Sequence, residues 1–77
     1  MKNSFFEVCL KKIENTLYSS KDKTHKNRLF LMEKFLFDND FQKDILKKNL
    51  IPDSSSEMTS AILACFYTKY IQEKGLN

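Results

Sequence analysis

The side chains able to do chemistry in this sequence are few and scattered: the thiols of Cys9 and Cys65, the imidazole of His25, and the carboxylates of Asp38, Asp40 and Asp44. Nucleophilic catalysis needs a base beside the nucleophile. His25 is the only histidine and stands far in sequence from either cysteine. Cys9 and Cys65 both fall inside apolar helical patterns, which predicts buried free thiols rather than reactive ones, and a reducing compartment. Two separated cysteines and one distant histidine do not have the spacing of a zinc site. The three aspartates are better suited to helix capping and solubility than to acid–base work. They do not begin a calcium loop either, because the glycine position after Asp38 and Asp40 is Lys43 and the bidentate acid position is Asn49. A glycine-rich phosphate loop is excluded, since Gly75 is the only glycine. The expectation is a protein that is not an enzyme and carries no cofactor or metal.

Charge offers a second kind of site. The formal net charge is +3, and residues 21–28 alone account for it, with Lys21, Lys23, Lys26 and Arg28 set against Asp22. Such a segment attracts phosphates, acidic proteins or a membrane surface, or is simply solvated. It holds one arginine, no aromatic and no glycine, a poor set for stacking on single strands or reading bases. Residues 41–74 nevertheless have the outline of a helix-turn-helix, with Ser54, Ser55, Ser56 and Thr59 available to phosphates. Its second helix would offer a groove Met58, Ala61, Ile62, Leu63, Ala64, Cys65, Phe66 and Tyr67 before its first basic residue, Lys69. A nucleic-acid-associated regulator is therefore the alternative expectation, not the leading one.

The elements that must position these groups are helical. Seventy-seven residues make one domain, residues 1–77, near the size at which a folded chain hides only about 60% of its unfolded surface. An apolar fraction of 42%, a charged fraction of 30%, and a single glycine and proline fit helices joined by short polar loops. Ser4 with Glu7 forms a capping box for a first helix whose stripe is Phe6, Cys9, Leu10, Ile13 and Leu17. Asp22 or Thr24 caps a second, which runs to about Phe37 and is apolar nearly all round after Arg28. Asp38-Asn39-Asp40 reads as a break and restart, the alternative being one long bent helix. The third helix turns Phe41, Ile45 and Leu46 inward and ends before Pro52. Ser54 and Glu57 form a second box for a helix from about Ser55 to Lys74, closed by Gly75 with Leu76 packed behind it. The fold class is all-α, a small bundle of three to four short helices.

Two stretches are too apolar for a polar surface: Leu29-Phe30-Leu31-Met32 with Phe35-Leu36-Phe37, and Ala61 to Tyr67. Both fall far short of the 18 or more residues that a membrane span needs. The acidic Glu7 and the pair Lys11-Lys12 break the pattern of a signal peptide, so the expected location is cytoplasmic. Ten aromatic residues and two helices with more than one apolar stripe leave a surplus for an interface. Phe5 and Leu31, opposite their helices' main stripes, are the candidates, with Leu63 and Tyr67 on the fourth helix; Phe30 and Phe37 fit core or interface equally. Ser60-Ala61-Ile62 with Tyr67 and Tyr70 resembles the last helix of small co-chaperones of bacterial secretion needles, over too short a stretch to carry any position across. The reading is a small regulator, adaptor or co-chaperone that binds itself, as a homodimer, or another protein.

Overall fold

The computed structural model describes residues 4–19, 24–49 and 56–75 and shows four helices and no strand among them. They are α1 (Ser4–Leu17), α2 (His25–Phe37), α3 (Asn39–Asn49) and α4 (Ser56–Lys74). The chain is thus the small all-α bundle that its periodicity predicts. The proposed caps at Asp22, Ser54 and the Ser4 side chain, the stop at Pro52 and the contact of Leu76 lie outside the described residues.

Local chemistry accounts for the helix ends. Thr24 stands before α2 in extended conformation, and its hydroxyl accepts from the Asn27 N–H at 3.2 Å, satisfying one of the donors a helix start leaves unpaired. At the other end Asp38 does two jobs. Its N–H donates to the Lys34 carbonyl at 2.9 Å, closing α2. Its carboxylate accepts from the Phe41 N–H at 3.1 Å and its carbonyl from the Gln42 N–H at 2.8 Å, opening α3. The Gln42 side-chain amide then reaches back to the Phe35 and Leu36 carbonyls, at 3.0 and 3.2 Å. A break is therefore observed rather than one bent helix. Gly75 ends α4 at φ 71°, with its N–H on the Gln72 carbonyl at 3.2 Å, the left-handed residue that glycine adopts without a Cβ clash.

Packing follows the stripes. Cys9, Ile13 and Leu17 from α1 meet Phe35 from α2, Ile45 from α3, and Ile62 and Phe66 from α4 in one buried cluster. Phe6, Leu10, Phe41 and Leu46 pack partly buried around it. At its centre the rings of Phe35 and Phe66 meet edge to face, centroids 5.0 Å apart at 67°, the geometry that the ring quadrupole favours. Two polar links fix α1 against its neighbours: the Thr16 hydroxyl reaches Asn49 Oδ1 of α3 at 3.0 Å, and the Lys69 ammonium of α4 pairs with the Glu14 carboxylate. Cys9 is buried as expected, whereas Cys65 is only half-buried; both are free thiols.

Phe35 and Phe30 are both α2 phenylalanines, but Phe35 is 0% exposed and Phe30 59%. Phe35→Ala should cost about 3–5 kcal/mol, most of the stability of a domain this small. Phe30→Ala should cost under about 1 kcal/mol. Urea unfolding followed by circular dichroism checks this, and equal losses would reverse the assignment of inner and outer sides.

Candidate protein-binding face

Successive helical residues turn by about 100°, so residues seven apart lie almost on one line. On α2 that line joins Phe30 and Phe37, and the buried pair Met32 and Phe35 lies on the opposite side of the axis. Phe30 is 59% and Phe37 61% exposed, the two most exposed large apolar side chains among the described residues. Between them stand the charges of Glu33 and Lys34, with Asp38 just beyond. Together the five line an open groove of about 420 Å³. Two of its side chains have partners within the chain. Phe37 meets Tyr70 of α4 edge to face, 5.9 Å between centroids at 72°, and the Lys34 ammonium rests 4.6 Å above the ring of Phe41.

Of the four interface candidates read from the sequence, Tyr67 and Phe5 are exposed, at 49% and 42%. Phe5 lies one turn from Val8, which is also exposed. Leu63 packs, partly buried, against the core cluster. Leu31 is half-buried and lines a second cleft of about 350 Å³ with Lys11, Tyr18, Asn27 and Arg28. These four positions are thus distributed over three helices, two of them exposed and two partly buried. Phe30 and Phe37, which the sequence left between core and interface, make the clearer face. In α2's own pattern the charges of Lys26, Glu33 and Lys34 fall on the side of Phe30 and Phe37 and mark it as the outer one, a signal that the apolar residues taken alone do not give. Contact with α3 and α4 agrees, burying Phe35 beside Ile45, Ile62 and Phe66.

Two side chains of the described part of the basic segment, His25 and Arg28, make contacts within the chain. Lys21 and Lys23 lie outside the described residues. Lys26 is exposed, while the Arg28 guanidinium lies 4.6 Å over the Tyr18 ring, a cation–π contact that covers one face of the cation. His25 Nδ1 is 3.0 Å from the Glu73 carboxylate, an ion pair when the ring is protonated. The helix-turn-helix reading gains little from α4. Its outward positions Glu57, Ala61, Ala64 and Gln72 are small, neutral or acidic, and the Thr68 hydroxyl is held by the Ala64 carbonyl at 3.0 Å. Among the described residues no three His, Cys, Asp or Glu side chains are grouped to hold a metal ion, and no helix is long and apolar enough to cross a membrane.

Compared with known proteins, the chain matches no family model, no curated protein and no solved structure.

The Tyr18 hydroxyl at the cleft is buried and has no hydrogen-bond partner among the described residues. Burial pushes its pKa up; Arg28 opposes this, and the Glu14 and Glu73 carboxylates add to it. The folded chain thus holds this proton more tightly than the unfolded chain. This group's contribution to stability is complete below the ordinary tyrosine value near 10 and is lost as pH rises through the folded value. Tyr18→Phe removes an unpaired polar atom, so stability at pH 7 should be unchanged or higher by up to about 1 kcal/mol. Its loss of stability above pH 10 should also be shallower. Thermal melts of both proteins at pH 7 and 10.5 test this, and a clear loss at pH 7 would show that the hydroxyl has a partner.

Proposed function

We propose that this chain is a small non-enzymatic protein-interaction module, of the regulator or adaptor kind, whose binding face is the outer side of α2. The observation that carries the reading is the exposure of Phe30 and Phe37 two turns apart on one side of a helix, flanking an open groove. Large aromatics supply much of the binding energy at protein interfaces, and an exposed apolar patch edged by charge marks a contact surface. Helix-in-groove recognition uses this spacing of anchors, one and two turns apart. Tyr67 and the Phe5–Val8 pair are secondary positions under the same reading. A reducing cytoplasm suits a chain with two free thiols.

A photo-crosslinking amino acid placed at position 30, at 37, or at Lys26 tests the reading in cells that express the protein. Adducts to protein from positions 30 and 37, lost when the other phenylalanine is changed to glutamate, are the expected result. Adducts to nucleic acid from position 26, with no protein adduct from 30 or 37, would replace this reading with the nucleic-acid one. Retention on nucleic acid would then fall steeply with salt.

A further inference from the structure

We infer that the cleft between α1 and α2 is a binding site for a small phosphate monoester, held by Arg28 and Lys11 with a hydrogen bond from the Tyr18 hydroxyl. None of the residues that line this cleft lines the groove of Phe30 and Phe37, so the inference stands apart from the protein-binding reading.

The unpaired hydroxyl carries the inference. The large majority of buried side-chain polar atoms have a hydrogen-bond partner, and an exception calls for a reason such as an ion or a ligand. Tyr18 Oη is buried with no partner among the described residues, yet its residue lines a cleft of about 350 Å³. That volume falls at the lower end of small-molecule sites, about 300–1,000 Å³. The hydroxyl keeps its proton at neutral pH, since burial pushes its pKa up, and it is therefore a donor.

Two helix faces supply the other donors. Lys11 and Tyr18 are seven residues apart on α1, and Arg28 and Leu31 three apart on α2, so each pair shares one side of its helix. Asn15 adds a side-chain amide on the α1 wall. The Arg28 guanidinium lies 4.6 Å over the Tyr18 ring, a stacking that uses its face and leaves its N–H edges for an anion. An oxygen held by those edges lies beside the tyrosine. Arg28 is exposed, and a shift of its flexible side chain admits that oxygen to the hydroxyl.

The charges in and beside the cleft favour an anion. Glu14 also lines it, but its carboxylate is paired with Lys69 of α4. Glu73, the other carboxylate that acts on Tyr18, is met by His25 Nδ1 at 3.0 Å. Lys11 and Arg28 have no carboxylate partner among the described residues. A phosphate monoester suits them better than a carboxylate does. It carries about two negative charges and three acceptor oxygens, enough to meet a guanidinium, an ammonium and a hydroxyl together. Half-buried Leu31 offers an apolar wall to the organic part of the ester.

The test is titration of the full chain with phenyl phosphate at constant ionic strength and about pH 7.5, where the ester is a dianion, followed by two-dimensional amide NMR. It should bind with a Kd of about 1 mM or tighter and move the signals of residues 11–19 and 27–31. Lys11→Gln and Arg28→Gln should each weaken binding about tenfold. Tyr18→Phe should weaken it about tenfold as well, while the free chain is no less stable. Those opposite effects separate a ligand-binding tyrosine from a structural one. Lys26→Gln, which removes an exposed cation outside the cleft, should leave the affinity unchanged. Circular dichroism confirms folding, and exposed Lys11 keeps the test decisive if Arg28→Gln does not fold. No binding up to about 10 mM, or signals that move only elsewhere, overturns the inference. Equal loss with Lys26→Gln marks a diffuse charge effect and overturns it, as does a Tyr18→Phe chain that binds like wild type. Benzoate binding as tightly as the ester overturns the phosphate group as the ligand. Inorganic phosphate binding as tightly overturns the ester and the part given to Leu31.

Discussion

The contact between Phe35 and Phe66 fixes more of this molecule than any other. Helix α2 is apolar on almost every side, and a bundle of four short helices can cover only one of them. With the ring of Phe35 set edge-on against Phe66 and both at 0% exposure, the helix has no rotation left to choose. Each of these rings, fully removed from water, contributes up to about 3 kcal/mol, and turning α2 by half a turn would exchange that for exposed phenylalanine. Met32 follows Phe35 inward because it lies one turn away on the same side. Phe30 and Phe37 go outward for the same geometric reason. The exposed pair is therefore a consequence of how the core is closed, while Phe5 and Val8 of α1 and Tyr67 of α4 are exposed elsewhere among the described residues.

Asp38 turns that local constraint into a fold. By closing α2 and capping α3 within one residue, it lets the chain change direction so that Ile45 of α3 joins Phe35 of α2 in the core. Gln42 secures the junction by occupying the last carbonyls of α2, and Asn49, at the far end of α3, meets Thr16 of α1. Three polar side chains thus tie together elements whose packing is otherwise mostly apolar. They also place an acidic group at the end of the exposed face of α2, which gives that face a direction.

Much of the fold is legible in the sequence because α1 and α3 each have one stripe. Cys9, Ile13 and Leu17 can face only one way, as can Ile45, and the periodicity names them without reference to any neighbour. The break at Asp38 is legible too, since an aspartate, an asparagine and a second aspartate in succession favour caps over helix interiors. The candidate face was not. Leu31 and Leu63 look available when α2 and α4 are considered alone, yet Leu63 packs on the core and Leu31 lines the cleft near Tyr18. On α2 the charges of Lys26, Glu33 and Lys34 do mark the outer side, but the run of apolar residues between Leu29 and Phe37 masks that record when it is read for hydrophobicity alone. Which apolar residues of α4 stay outside is settled by its pairing with α2, a long-range property of two segments some thirty residues apart.

The charges complete the argument against a surface that simply attracts anions. The net charge of +3 overstates what the described basic segment presents to a partner. Arg28 lies against Tyr18 and His25 against Glu73, so both are oriented by the chain's own side chains. On the outer side of α2, Lys26 and Lys34 are interleaved with Glu33 and Asp38, and their long-range fields largely cancel beyond a Debye length of about 8 Å at physiological salt. Such a face has little power to steer a distant partner. Under the proposed function it would discriminate at contact, where the order of signs along the helix and the position of two phenyl rings must both be matched. Recognition built this way depends more on register than on total charge.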